Sequence, residues 1–185
     1  YKSLLDKAKK SNYGKSTYQL QGPPADGIIQ CGSYSNPDIG CRWANADSAA
    51  AYLQAVLWVI TGEKIYADNA IKILNAYAKL KGYAGATPNV PCPSDASQCS
   101  NGPLQAAWDA QKWPRAAEII RYANGGSAGW AAEDMKAFAD MLNRAVVPVI
   151  YNGSKNNGNW EFSMIEAMIG IAVFNEDVPL FQHAQ

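Results

Sequence analysis

Histidine is almost missing from this sequence: His183 is the only one in 185 residues. The four cysteines include no Cys-x-x-Cys unit. Structural and catalytic zinc sites are built from cysteine, histidine and carboxylate ligands at short spacings, so the sequence does not predict a zinc site. The residues that we single out below require no other metal and no cofactor.

Net charge is also missing, because 16 basic side chains are balanced by 16 acidic ones. Without a basic excess the sequence does not predict a nucleic-acid partner. No apolar run reaches the ~18 residues that a membrane-spanning helix needs, so we expect no membrane partner either. A local cluster of hydrogen-bond donors can still bind a polyanion. With 48% apolar residues, the chain can bury the core of a single domain.

Two long segments, residues 13–44 and 82–102, are rich in Gly, Pro, Ser and Asn and read as loops. Long ordered loops in a compact domain are usually functional. Each of the two contains one pair of cysteines, and of the three possible connectivities we favour the two short ones. The predicted disulfides are Cys31–Cys41 and Cys92–Cys99.

Disulfides persist in oxidising compartments, so this pattern predicts a secreted, extracellular protein. Asn152-Gly153-Ser154 matches the acceptor sequence for N-glycosylation, which agrees with that location and predicts a glycan on Asn152.

Apolar residues recur at helical spacing in most of the remaining chain, and no segment shows the two-residue period of a strand. Asn45 or Asp47 can cap the start of the second helix, and Gly62 is placed to end it. Pro114 predicts a kink or a fresh helix start. The predicted helices cover residues 1–12, 46–60, 64–80, 103–123, 131–147 and 160–174, with a last one from near Pro179.

A weak internal repeat relates residues 55–70 to residues 172–184, since each has an apolar helix end, a polar turn, an aromatic residue and an alanine. Repeated helical hairpins predict an all-α toroid or solenoid. Residues 160–174 are apolar almost all round, which predicts a fully buried inner helix. We expect residues 1–185 to form one α/α-toroid domain, an incomplete barrel that is the N-terminal portion of a longer domain and packs on its remaining C-terminal part.

Four stretches, in this order and spacing, resemble the alginate-lyase superfamily of polysaccharide lyases. This resemblance implies an α/α toroid that cleaves a uronate polymer, alginate or polyglucuronate, by β-elimination. The stretches are Cys31–Pro37 with Gly40-Cys41, Ala55–Ala70, Trp108–Gln111 with Arg115–Glu118, and Gly158–Glu161 with Glu166–Phe174.

The resemblance also implies a catalytic residue. Many relatives carry Asn-Asn-His at the start of an inner helix, where this sequence reads Asn156-Asn157-Gly158-Asn159-Trp160. We align Asn159 with the amide that neutralises the uronate carboxylate, which makes the C5 proton removable by a Tyr or His base. Trp160 stands where relatives often carry the histidine, so no base is assigned here. The alternative is that Asn159 is only the N-cap of its helix.

Five residues are expected to bind the sugar chain. Trp108, Gln111 and Arg115 are spaced by three and four, so on one helix they would share a face. An aromatic ring, an amide and a cation suit a uronate subsite, although Trp108 could equally be a core residue. Tyr34, in the first disulfide loop, and Trp160 complete the set; each could also serve only packing.

Two other functions stay open. A glycoside hydrolase on a similar toroid would need two carboxylates in its cleft, but Glu161 and Glu166 are five residues apart and do not share a helix face. Glu161 suits the positive end of a helix dipole, and Glu166 needs a partner such as an arginine. The other alternative is a non-catalytic carbohydrate-binding protein.

His183 is expected on the surface or in packing.

Overall fold

Helical hairpins make up most of the protein, as the sequence predicts. The computed structural model describes residues 2–156 and 158–185. Within them the helices are α1 (Lys2–Lys10), α2 (Cys41–Thr61), α3 (Lys64–Tyr77), α4 (Gly102–Ala110), α5 (Trp113–Gly126), α6 (Ala132–Met141), α7 (Val147–Ile150), α8 (Asn159–Asn175) and α9 (Val178–His183).

The hairpins are arranged side by side. α2 turns into α3 at Gly62, whose φ of 70° ends the helix, and α8 turns into α9 at Glu176. These are the two halves of the repeat seen in the sequence. α5 packs between α2 and α8, while α3 packs on α2 and α9 packs on α8. The result is the predicted all-α, toroid-like arrangement of antiparallel hairpins.

Both predicted disulfides are present, Cys31–Cys41 and Cys92–Cys99. The first closes a ten-residue separation and the second a seven-residue one, so each holds a single loop.

A small sheet corrects the expectation of no strands. It consists of β1 (Ile28–Cys31), β2 (Asp38–Ile39) and β3 (Gly82–Tyr83), in the order β2-β1-β3. β1 and β2 are antiparallel, with Cys31 opposite Asp38, whereas β1 and β3 are parallel, with Ile29 opposite Tyr83. Strands of two to four residues are too short to show a period-two pattern, which is why the sequence did not reveal them.

The second helix begins earlier than the predicted residue 46. Gly40 precedes α2 with a φ of 82°, and a Cβ there would lie 2.7 Å from Cγ of Pro24. Neither Asn45 nor Asp47 is its cap, so that prediction was wrong. Asp47 lies buried inside the helix, where its carboxylate binds groups from elsewhere in the chain.

The Asp47 carboxylate joins three segments. It accepts hydrogen bonds from the hydroxyls of Tyr18 (2.7 Å) and Tyr77 (2.8 Å) and from the backbone N–H groups of Gly22 (2.8 Å) and Gln21 (3.2 Å). Four donors satisfy a buried charge that would otherwise be costly. Asp47 therefore holds the N-terminal loop against α2 and α3.

The predicted helix over residues 103–123 is divided. α4 ends at Ala110 and α5 starts anew at Trp113 with Pro114 in its first turn, which confirms the predicted restart. The predicted helix over residues 131–147 is continuous but irregular, because a π-helical segment, Leu142–Val146, connects α6 to α7.

α8 is not buried on all sides, contrary to the prediction. One face packs on α4, α5 and α9, but the side chains of Phe162 and Val173 are 72% and 46% exposed. An evenly apolar sequence does not show which face of a helix has a neighbour. No helix among the described residues is long and apolar enough to cross a membrane.

A second buried carboxylate, Asp109 on α4, faces β3. It accepts hydrogen bonds from the Tyr83 hydroxyl (2.9 Å) and from Nε2 of Gln105 (2.8 Å). Burial raises the pKa of Asp109 to about 7, although the nearby Lys112 ammonium and these two donors act in the opposite direction.

We expect the raised pKa of Asp109 to make the protein less stable as pH rises from about 4 to about 7. In the unfolded chain a carboxyl of this type ionises near pH 4, whereas the folded protein retains the proton up to about pH 7. The free energy of unfolding should therefore fall by up to about 1.4 kcal/mol per pH unit across this window. Urea unfolding at several pH values measures it. Asp109→Asn should flatten the slope, and Asp140→Asn, at an exposed carboxylate, should not.

Candidate functional site

A cleft of about 660 Å³ lies where the first disulfide loop meets the N-terminal ends of α4 and α8. Three aromatic residues predicted to bind sugar line it together: Tyr34, Trp108 and Trp160. They come from three separate parts of the chain. The described residues that line it are Ser33, Tyr34, Ser35, Ser100, Asn101, Leu104, Trp108, Asn156 and Trp160.

Tyr34 is almost fully exposed in this cleft, with 98% of its surface accessible. It lies in a short helical turn, Ser33–Ser35, where Tyr34 and Ser35 have φ angles of 51° and 54°. Such backbone strain in residues other than glycine persists only where the surroundings impose it, and it is concentrated at functional sites. The Cys31–Cys41 disulfide and a Gly32 N–H to Pro37 C=O hydrogen bond (3.0 Å) restrain the loop.

Trp108 and Trp160 come from two helices that line the cleft. Trp108 lies on α4 and Trp160 in the first turn of α8, and both are half-buried. Each ring is thus supported by the protein on one side and open on another. Large rings held in this way offer an apolar surface to a ligand at little cost in conformational entropy. Trp108 is accordingly not a fully buried core residue, which was the alternative interpretation.

Asn159 is exposed and is the first residue of α8. Gly158 occupies the N-cap position and Asn159 the first helical position, so the structure does not support the N-cap interpretation. Asn159 adjoins Trp160 in sequence but does not line the cleft, whereas Asn156 does. Asn157, in the same stretch, lies outside the described residues.

The predicted face of Trp108, Gln111 and Arg115 is not formed, because the chain leaves α4 at Ala110 and restarts at Trp113. Gln111 is half-buried between the two helices and does not line the cleft. Arg115 Nη2 instead binds Oε1 of Glu166 at 2.5 Å, which confirms the arginine partner expected for that glutamate. Arg115 also lines a separate hollow of about 350 Å³.

Four polar cleft residues, Ser33, Ser35, Ser100 and Asn101, were not identified from the sequence. They adjoin the disulfide loops, and the backbone N–H of Asn101 donates to the Cys31 carbonyl at 3.0 Å. The two cysteine-containing loops therefore meet to form one wall. The sequence signals for them were their position near cysteines in long loops and, for Ser33 and Ser35, the stretch Cys31–Pro37 that carries the family resemblance.

Ionisable groups are scarce in this cleft. No carboxylate belongs to its described lining, and neither Glu161 nor Glu166 reaches it. His183 packs elsewhere: its ring stacks on Tyr151 with centroids 3.9 Å apart, and Nε2–H donates to the Tyr151 carbonyl at 2.7 Å. Across residues 2–156 and 158–185, no three His, Cys, Asp or Glu side chains cluster as metal ligands would.

The sequence as a whole matches a known family. The family model described as alginate lyase matches residues 3–185. The chain belongs to the alginate lyase family. No curated protein sequence matches the chain.

Solved structures of alginate lyases have the same fold. Alginate lyase A1-III from Sphingomonas species A1 superposes with a TM-score of 0.65 at 20% identity, covering 97% of this chain and 51% of that one. A tyrosine-to-phenylalanine variant of alginate lyase A1-III, in complex with a tetrasaccharide, superposes with a TM-score of 0.64 at 17% identity. The match covers 98% of this chain and 53% of that one. An alginate lyase from Bacteroides ovatus superposes with a TM-score of 0.56 at 12% identity, and the match covers 98% of this chain and 56% of that one. The chain thus spans about half the length of these structures.

Proposed function

We propose that this alginate lyase family chain contributes the aromatic and amide part of a cleft that cleaves a uronate polymer, alginate or polyglucuronate, by β-elimination. The observation that carries the proposal is the cleft, in which Tyr34, Trp108 and Trp160 converge beside Asn156. Exposed rings with amides and hydroxyls between them suit an extended chain of sugar rings.

β-Elimination on a uronate needs the carboxylate to be neutralised. A base removes the C5 proton, the electron pair forms the C4–C5 double bond, and the C4–O bond breaks as its oxygen takes up a proton. Negative charge accumulates on the carboxylate during this step, so an amide N–H aimed at it lowers the barrier. We propose Asn159 for this role, since it begins α8, where the free N–H groups and the helix dipole favour an anion.

Asn156 is a second candidate for the same amide, because it lines the cleft. Both residues flank the start of α8, and both belong to the stretch that resembles the Asn-Asn-His motif of relatives.

The alternatives are less well supported by the site. A retaining or inverting hydrolase needs two carboxyl groups around the scissile bond. Glu161 binds the neighbouring loop and Glu166 is paired with Arg115. A non-catalytic sugar-binding protein would use the same aromatic residues without chemistry.

We further propose that the protein is extracellular, which its two disulfides support. Asn152 is exposed in the turn after α7, where a glycan could be attached.

A substrate panel tests this function. The full-length protein is incubated with alginate, polyglucuronate and a neutral polysaccharide, and the ultraviolet absorbance of a new C4–C5 double bond is followed together with new reducing ends. We expect both signals on a polyuronate and neither on the neutral polymer. New reducing ends without absorbance would indicate a hydrolase, and binding without either signal would indicate a non-catalytic protein.

Tyr34 offers a prediction for sugar binding. Tyr34→Phe preserves the ring, so we expect KM for the polyuronate to change less than about threefold. Tyr34→Ala removes a contact worth about 1.5 kcal/mol, which corresponds to a KM roughly tenfold higher. Steady-state kinetics measure both, with Tyr122→Ala, an exposed tyrosine outside the cleft, as control. If Tyr34→Phe lowered kcat strongly, the hydroxyl rather than the ring would be essential.

A further inference from the structure

We propose that Glu161 is a positioning residue that holds the loop of residues 153–156 against the start of α8 and thereby places Asn156 in the cleft. This inference rests on the proposed function, because it concerns the same cleft. Glu161 itself does not line the cleft, so in this proposal it acts on the reaction through the loop.

Two hydrogen bonds connect Glu161 to Asn156. Oε2 of Glu161 accepts from the backbone N–H of Ser154 at 2.6 Å, and Oγ of Ser154 accepts from the backbone N–H of Asn156 at 3.0 Å. The first is a charge-assisted bond to a backbone donor, which is stronger than a neutral one. The carboxylate thus fixes the backbone two residues before Asn156.

Gly153 shows how closely the loop approaches this carboxylate. Its φ is 66°, and a Cβ on it would lie 2.7 Å from Oε2 of Glu161. The carboxylate therefore occupies the space that any side chain at position 153 would need. Glycine permits both the backbone conformation and the close approach.

The beginning of the same loop is held independently. The His183 ring on α9 stacks on Tyr151 and donates to its carbonyl, and the N–H of Gly153 donates to the Ile150 carbonyl at 3.0 Å. These contacts lie on the side of α7 and α9. Among the described residues, Glu161 is the side-chain contact from α8 that restrains the part of the loop nearest the cleft.

The test compares Glu161→Ala, Glu161→Gln and Glu133→Ala in the full-length protein. Glu133 is a matched control, because it is an exposed glutamate in the first turn of α6. We expect Glu161→Ala to lower kcat on the polyuronate by about tenfold or more with a smaller change in KM, as displacement of a reacting group does. Glutamine retains an acceptor oxygen, so Glu161→Gln should recover most of the loss.

Hydrogen exchange provides a readout that does not depend on activity. The Ser154 amide should exchange faster in Glu161→Ala than in the wild type, while amides in the core of α5 stay unchanged. Unchanged exchange at Ser154 would overturn the inference, and so would faster exchange with full activity on a polyuronate. If the wild type cleaves no polyuronate, the proposed function fails, and exchange at Ser154 still decides whether Glu161 holds the loop.

Discussion

Replacement of Asn159 by alanine is expected to lower kcat for polyuronate cleavage by about 10²–10³-fold, the usual effect of removing one donor that stabilises a developing negative charge. Asn159 is exposed and follows the N-cap residue Gly158 instead of capping α8 itself, so the substitution should change stability little. The rate of double-bond formation measures the effect, and the thermal midpoint of unfolding shows that the fold is retained.

Two further variants locate the amide. Asn156→Ala tests the cleft-lining residue of the same stretch, and Asn12→Ala is a control at an exposed asparagine near the end of α1. Full activity of Asn159→Ala with a large loss in Asn156→Ala would move the role to Asn156. If both variants retained full activity, neither amide would neutralise the carboxylate.

Replacement of Asp47 by alanine is expected to reduce the free energy of unfolding by about 3–5 kcal/mol. The change leaves the hydroxyls of Tyr18 and Tyr77 and the N–H groups of Gln21 and Gly22 without their common acceptor. Each unsatisfied buried donor carries a desolvation cost of about 1–3 kcal/mol, which water entering the site reduces only in part. Urea unfolding of both proteins at one pH gives the difference.

Asp68→Ala is the matched control for this experiment. Asp68 is also a helical aspartate, but it is half exposed and pairs with Lys64 one turn away on α3. Such surface pairs contribute about 0.3–0.5 kcal/mol. A loss of less than about 1 kcal/mol in Asp47→Ala would mean that the loop around residues 18–22 does not depend on this carboxylate.

Much of the fold could be predicted because it depends on local rules. Helical spacing identified the hairpins, Gly62 ended α2, and Pro114 marked the restart of α5. The short spacing of the cysteines gave the correct disulfides. The strands and the early start of α2 were missed, since strands of two to four residues have no readable period and Gly40 replaces a polar cap.

The site was predictable only in part, for a different reason. Tyr34 and Trp160 were predicted singly and Trp108 as part of a helix face with Gln111 and Arg115, and the structure places the three aromatic residues in one cleft. Arg115 lies elsewhere because the restart at Pro114 changes the direction that its side chain takes. Asn156 lines the cleft through the conformation of a loop, which no periodic pattern in the sequence encodes.

Mass spectrometry of the products tests the central claim most directly. After digestion of alginate or polyglucuronate by the full-length protein, β-elimination predicts oligosaccharides that are lighter than the corresponding hydrolysis products by the mass of one water molecule, with the new double bond at the non-reducing end. Products with the full saturated mass at every cleaved bond would contradict the account, whatever the rate of cleavage.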